Sequence, residues 1–138
     1  MTACQAKIHR ARVTEANLNY IGSITIDRSL IIASGIQPYQ MVHINNLRNG
    51  AHWETYVLPG TAGKGDICLN GPPARHFKRG DIVIIVAYCM VKPSKLKKLK
   101  PVVVFVNKKN VITDVMTHDI IPIKAISSKS PMNKRVKK

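Results

Sequence analysis

Gly22 and Ser23 form the peptide bond of this chain best equipped for chemistry of its own. Glycine has no Cβ, so the backbone there adopts conformations closed to other residues, and a group can come close to its carbonyl. The Ser23 hydroxyl can attack that carbonyl and replace the amide by an ester. Elimination from the ester breaks the chain and leaves a dehydroalanine, which hydrolyses to a pyruvoyl group. A pyruvoyl ketone forms a Schiff base with an amine and accepts electrons from a breaking bond. Taken alone, Gly-Ser is equally a turn dipeptide. The surrounding residues decide between the two.

Tyr20-Ile21-Gly22-Ser23-Ile24-Thr25-Ile26 carries β-branched residues around the pair and reads as extended chain with an irregularity at Gly22. Residues 7–14 alternate and predict a first strand. Asp27 is placed to cap a short helix over residues 28–33 that Gly35 ends, and Pro38 blocks further helix. Residues 41–45 and 53–58 flank Asn49-Gly50, a hairpin signal. A flexible loop is expected at residues 60–65, then a short buried strand at 67–69 broken by Asn70-Gly71-Pro72-Pro73. Ile82–Met90 is apolar on both faces and belongs at the centre of a sheet. Residues 95–100 have room for one helical turn, and Val102–Val106 and residues 111–115 form a second hairpin. Many short strands and almost no helix predict a mainly β fold, a small barrel with one or two short helices.

A chain of 138 residues with 45% hydrophobic residues fits one domain with a real core. No apolar run approaches a membrane span, and residues 1–7 lack an apolar signal core, so the expected compartment is the cytoplasm. Cys4, Cys68 and Cys89 are expected to be buried free thiols, and no Cys/His spacing suggests a structural zinc site. The net charge of +15 is unevenly spread: residues 1–91 hold 9 basic against 5 acidic residues, and residues 92–138 hold 13 against 2. Residues 127–138 read as a solvated, flexible tail, and the expected division is a barrel over residues 1–116 and a basic tail over 117–138. Aromatics are only 5% and no aromatic strand suited to stacking bases is present, which argues against a nucleic-acid binder.

Six segments carry a resemblance in order and spacing: residues 7–10, residues 16–27, Asn49-Gly50, Glu54-Thr55-Tyr56, Asn70-Gly71 and residues 80–85. Together they resemble bacterial aspartate 1-decarboxylases, over residues 7–88 and more loosely to 115. The resemblance implies a double-psi β-barrel, made as a proenzyme, cut between Gly22 and Ser23, and assembled as a homotetramer with active sites between subunits. It implies a covalent pyruvoyl group from Ser23, without metal or pyridoxal phosphate. The reaction implied is α-decarboxylation of L-aspartate to β-alanine, for pantothenate and coenzyme A. By the same resemblance Tyr56 is the proton donor. Thr55 polarises the glycine carbonyl during cleavage and touches substrate. Asn70 donates hydrogen bonds near the same centre, helped by the Gly71 N–H. Lys7 binds a substrate carboxylate, and His9 and Tyr20 line the site. Cleavage is either spontaneous or assisted by a maturation helper protein.

Two departures stand out. His52 replaces the family's usual arginine, which clamps a substrate carboxylate, and Pro72-Pro73 replaces alanines. Histidine offers fewer donors than arginine and proline has no N–H. Either His52 protonates on binding the anion, or Arg48 or Arg75 takes its place, or the substrate changes. The alternative function is a non-catalytic or altered-substrate barrel of the same family whose basic tail binds polyanions.

Overall fold

The computed structural model describes residues 1–121 and 123. In chain order it contains β1 (Thr2–Arg12), β2 (Glu15–Asn17), β3 (Ser23–Ile26), α1 (Arg28–Ser34), β4 (Met41–Asn46) and β5 (His52–Pro59). There follow β6 (Ile67–Asn70), β7 (Ile82–Met90), β8 (Val102–Val106) and β9 (Ile112–Thr117), with 3-10 turns at Pro72–His76 and Pro93–Lys98. The strands hydrogen-bond in the order β2-β6-β3-β5-β4-β7-β1-β8-β9. Only residues 13–14 separate β1 from β2, and the Thr14 N–H donates to the Ile67 carbonyl at 2.9 Å. The chain thus passes from one side of the sheet to its far end, which curls the sheet into a small double-psi β-barrel. Its parallel pairs are β1 with β8, β2 with β6, and β3 with β5.

Alternation puts Ile8, Ile24, Ile26, Ile44, Val57, Leu69 and Ile85 inside, all fully buried. β7 lies between β4 and β1, as its two apolar faces required. Its last turn of sequence departs from that expectation: Tyr88 and Met90 face outward and are exposed. The stretch before Ser23 also departs from it. Residues 18–22 form a turn and a bend, and extended chain begins only at Ser23.

Asp27 caps α1, accepting from the Ser29 N–H at 2.8 Å and the Ser29 hydroxyl at 2.6 Å, and Gly35 closes the helix at φ 79°. The same carboxylate accepts from the Gly63 and Gly65 N–H groups at 3.1 and 2.6 Å. The loop expected to be flexible is therefore pinned to the helix start. Burial pushes the Asp27 carboxyl up, but these four donors outweigh it and hold it below its ordinary range. A Cβ on Gly65 would lie 2.6 Å from the Lys109 carbonyl oxygen, so only glycine fits where the loop meets the β8–β9 turn.

The three cysteines are free thiols, as expected, but half-buried rather than buried; burial pushes Cys4 and Cys68 up. β9 runs through Thr117, one residue beyond the expected barrel boundary. The basic tail from residue 124 onward lies outside the described residues. Among the described residues, no helix is long and apolar enough to cross a membrane.

Candidate active site

Ser23 opens β3, between β5 on one side and β6 on the other. It is only 2% exposed and sits directly across from Asn70, the last residue of β6. The Asn70 side-chain amide donates to the Ser23 hydroxyl oxygen at 3.4 Å. β6 must end here, because Gly71 follows at φ 108°, ψ 173°, a conformation essentially restricted to glycine. A Cβ on Gly71 would stand 2.7 Å from Gly22 Cα and 3.2 Å from Gly22 N. Two glycine backbones thus touch beside the candidate scissile bond, with Asn70 between them and Ser23.

The Gly71 N–H, expected to help at the reaction centre, donates instead to the Asn17 carbonyl at 2.8 Å. Gly71 shapes the site by its missing Cβ, not by its donor. Pro72 and Pro73 open the 3-10 turn Pro72–His76, where a first-turn N–H has no partner inside the turn. The prolines fit that backbone without breaking it.

β5 brings Thr55 and Tyr56 to the same region. The β3–β5 ladder begins at Ile24 and Val57. Ser23 and Tyr56 each stand one residue before that first pair, and Thr55 one residue further back on β5. Both β5 residues are half-buried, and the Tyr56 ring stacks on Tyr39 with centroids 5.4 Å apart. Tyr20 lies in the turn before Gly22 and is 61% exposed.

The remaining candidates lie elsewhere. On the outward face of the β4–β5 hairpin, His52 faces Asn45 and Glu54 faces His43. His52 Nδ1 is 2.7 Å from Asn45 Oδ1, and His52 Nε2 is 3.0 Å from Glu54 Oε2. His43 Nδ1 lies 3.6 Å from the same Glu54 oxygen, and its ring packs edge-on against Tyr88 at 4.8 Å. The hydrogen bond with His52, then the nearness of His43, hold Glu54 below its ordinary range. His43, Asn45 and Glu54 escaped the sequence reading. Their signal was the hairpin itself, whose register, centred between Arg48 and Asn49, pairs 43 with 54 and 45 with 52.

Lys7 is exposed on β1, across from Val86, which in turn lies across from His43. His9 packs edge-on against Phe105 at 5.5 Å and, with Arg10, Val106 and Thr113, lines an open cavity of about 550 Å³. Arg48, a candidate replacement for the usual clamp, is already committed: its guanidinium grips Asp81 at 2.7 and 3.0 Å. That contact, helped by Asn46 and the Lys78 N–H, lowers Asp81 to about 2 against the cost of burial.

The fold brings Gly22, Ser23, Asn70 and Gly71 together, sets Thr55 and Tyr56 on β5 beside β3, and places Lys7 and His9 on β1 and His52 at the far end of β5. β1 is four strands from β3 in the sheet order, roughly 19 Å along the sheet. His52 stands four residues along β5 from Tyr56, roughly 13 Å.

Residues 1–113 match the family model described as aspartate decarboxylase. An aspartate 1-decarboxylase of Clostridium acetobutylicum is 50% identical over 115 residues, 83% of this chain and 91% of its own. One from Carboxydothermus hydrogenoformans is 50% identical over 120 residues, 87% of this chain and 94% of its own. The computationally designed msDPBB_sym2 protein aligns with 63% of this chain and 99% of its own at a TM-score of 0.46 and 19% identity. With half of its residues shared with these relatives across nearly their full length, the chain belongs to the aspartate decarboxylase family.

Proposed function

We propose that this chain cuts its own backbone between Gly22 and Ser23 and carries the resulting pyruvoyl group at the head of the 23–138 fragment. With it the enzyme converts L-aspartate to β-alanine and CO2 in the cytoplasm, feeding pantothenate and coenzyme A. Membership of the family supports the reaction. The observation that carries the self-processing is the contact of Gly71 with Gly22, beside a buried Ser23 held by Asn70.

The residues present fit a pyruvoyl group at position 23. The amide of Asn70 is aimed at the atom that would leave, and neither glycine puts a side chain in the way. Once formed, that ketone supplies an electron sink for the bond broken at the substrate's α-carbon. Asn70 orients the Ser23 oxygen for attack. Thr55, on the strand beside β3, offers its hydroxyl to the carbonyl under attack. Tyr56 holds the proton that the α-carbon receives. Lys7 receives a substrate carboxylate, with His52 and the residue-71-to-73 backbone around it, and His9 and Tyr20 line the space.

Lys7 and His52 are exposed on β1 and β5, whereas Ser23 is buried at the start of β3. This separation supports sites completed by a second copy, in a homotetramer. A second reading, the same barrel acting on a different amino acid, is favoured by the engagement of both His52 ring nitrogens with Asn45 and Glu54. Comparing kcat/KM for L-aspartate with that for other acidic amino acids separates the two.

The first test is a denaturing mass spectrum, with a carbonyl-trapping reagent added to half of the sample. Two fragments, 1–22 and a ketone-headed 23–138, are expected, and Ser23→Ala should stay whole. A wild-type chain that stays uncut after warming with lysate of the source cell would overturn the reading.

A further inference from the structure

We propose that the outward face of the β4–β5 hairpin binds a divalent transition-metal ion of the zinc class through His43 Nδ1, His52 Nε2 and Glu54 Oε2. One ligand atom from each residue lies within 4.8 Å of the other two. The Glu54 oxygen is 3.0 Å from His52 Nε2 and 3.6 Å from His43 Nδ1. Around a tetrahedral zinc ion, with bonds of about 2.0–2.2 Å, neighbouring ligand atoms stand about 3.3 Å apart. The two short edges straddle that value, and the third, between the two histidines, is within 4.8 Å and closes by side-chain rotation when the ion binds.

The arrangement of acceptors is the second observation. Asn45 Oδ1 can only accept, so at 2.7 Å it makes His52 Nδ1 the donor. His52 Nε2 and the Glu54 oxygen, 3.0 Å apart, share a proton in their hydrogen bond, and a metal ion can take that proton's place. A proton bridges one pair, whereas a metal ion bridges all three atoms, including His43 Nδ1, which at 3.6 Å is too far from Glu54 for a hydrogen bond. Asn45 does for His52 what outer partners do for metal-bound histidines: it fixes the tautomer and the ring orientation.

The strands hold the ligands with little freedom, since His43 and Glu54 are directly opposed and His52 is two residues along the same face. His52 and Glu54 are nearly half exposed, so a fourth position stays open to water. Lys7, two strands away in the same row, roughly 10 Å, opposes a cation only weakly at physiological salt. The ion is not the cofactor of the proposed reaction. It would occupy His52, and its binding depends on neither cleavage nor catalysis.

The test is equilibrium dialysis against ZnCl2, with Co2+ spectra in parallel, on wild-type protein and on uncut Ser23→Ala. One ion per chain is expected in both. The Co2+ spectrum should show tetrahedral d–d bands without thiolate charge transfer, which sets the site apart from the three cysteines. His43→Gln and Glu54→Gln should each weaken binding at least about tenfold, and Asn45→Ala about 10- to 100-fold. His118→Gln should change nothing. Absence of saturable uptake, or uptake that survives both His43→Gln and Glu54→Gln in proteins that melt like wild type, would overturn the proposal.

Discussion

Gly71→Ala is the sharpest probe of the proposed processing site. The native φ of 108° with ψ 173° lies where side chains are excluded, which alone costs about 1–3 kcal/mol. The new methyl would also meet Gly22 Cα at 2.7 Å, against the 3.4 Å or more of ordinary contact. Neither partner is a flexible side-chain end, so backbone must move. The piece that can yield is the turn at residues 18–22, and its retreat carries the Gly22–Ser23 peptide away from Asn70. If about 2–3 kcal/mol of this strain is relieved in that way, the cutting geometry is disfavoured by the same amount. Cleavage then slows about 30- to 150-fold. The assay follows freshly synthesised chain on denaturing gels over time, with a thermal melt alongside. Gly63→Ala is the control, because its φ of 82° is comparably strained but nothing lies within 4 Å of its Cβ. It should lose stability and keep its cutting rate. If Gly71→Ala is cut as fast as wild type, whatever its melting point, the contact does not govern processing.

Three further outcomes are expected. Tyr56→Phe should still cut itself but lose about 10²- to 10⁴-fold in CO2 release, and a kcat within tenfold of wild type would remove Tyr56 as proton donor. Asp27→Ala strands four donors, at Ser29, Gly63 and Gly65, and should cost about 3 kcal/mol or more in urea unfolding. Asp81 is held at about 2 in the fold against 3.8 ordinarily, so its contribution is present above pH 4 and is lost as pH falls towards 2. Allowing for solvent screening at the half-exposed Arg48, that contribution is about 1–2 kcal/mol, and Asp81→Asn should flatten this part of the stability–pH curve.

The elements most readable in the sequence are those set by local rules. Asp27 and Gly35 bracket α1, and Asn49-Gly50 turns the β4–β5 hairpin, because capping and turn chemistry act over a few residues. What local rules miss is pairing across long separations. Asp27 reads as a cap, yet it also anchors Gly63 and Gly65 from 36 and 38 residues away. Arg48 reads as a free cation, yet Asp81, 33 residues on, has already taken it. The Gly71 N–H reads as a donor for the reaction centre, yet the parallel pairing of β2 with β6 delivers the Asn17 carbonyl to it. In each case the residue type was right and its partner was set by sheet order.

That sheet order also separates His52 from the bond at Gly22 in the proposed site. On the proposed reading the processing residues sit on β3, β5 and the end of β6, which are neighbouring strands of one chain. Lys7 and His52 are exposed on β1 and at the start of β5, and on the same reading they meet the reaction centre across a subunit boundary. A substitution at His52 therefore acts on substrate capture and leaves the cleavage geometry alone. The expected signature is a split. His52→Arg should change KM for L-aspartate while the fraction of cut chain stays at the wild-type level. Asn70→Ala should lower the cut fraction, because it removes the hydrogen bond from the Asn70 amide to the Ser23 oxygen. If His52→Arg and Asn70→Ala alter both quantities together, the two sets of residues form one site, and the division between processing and capture fails.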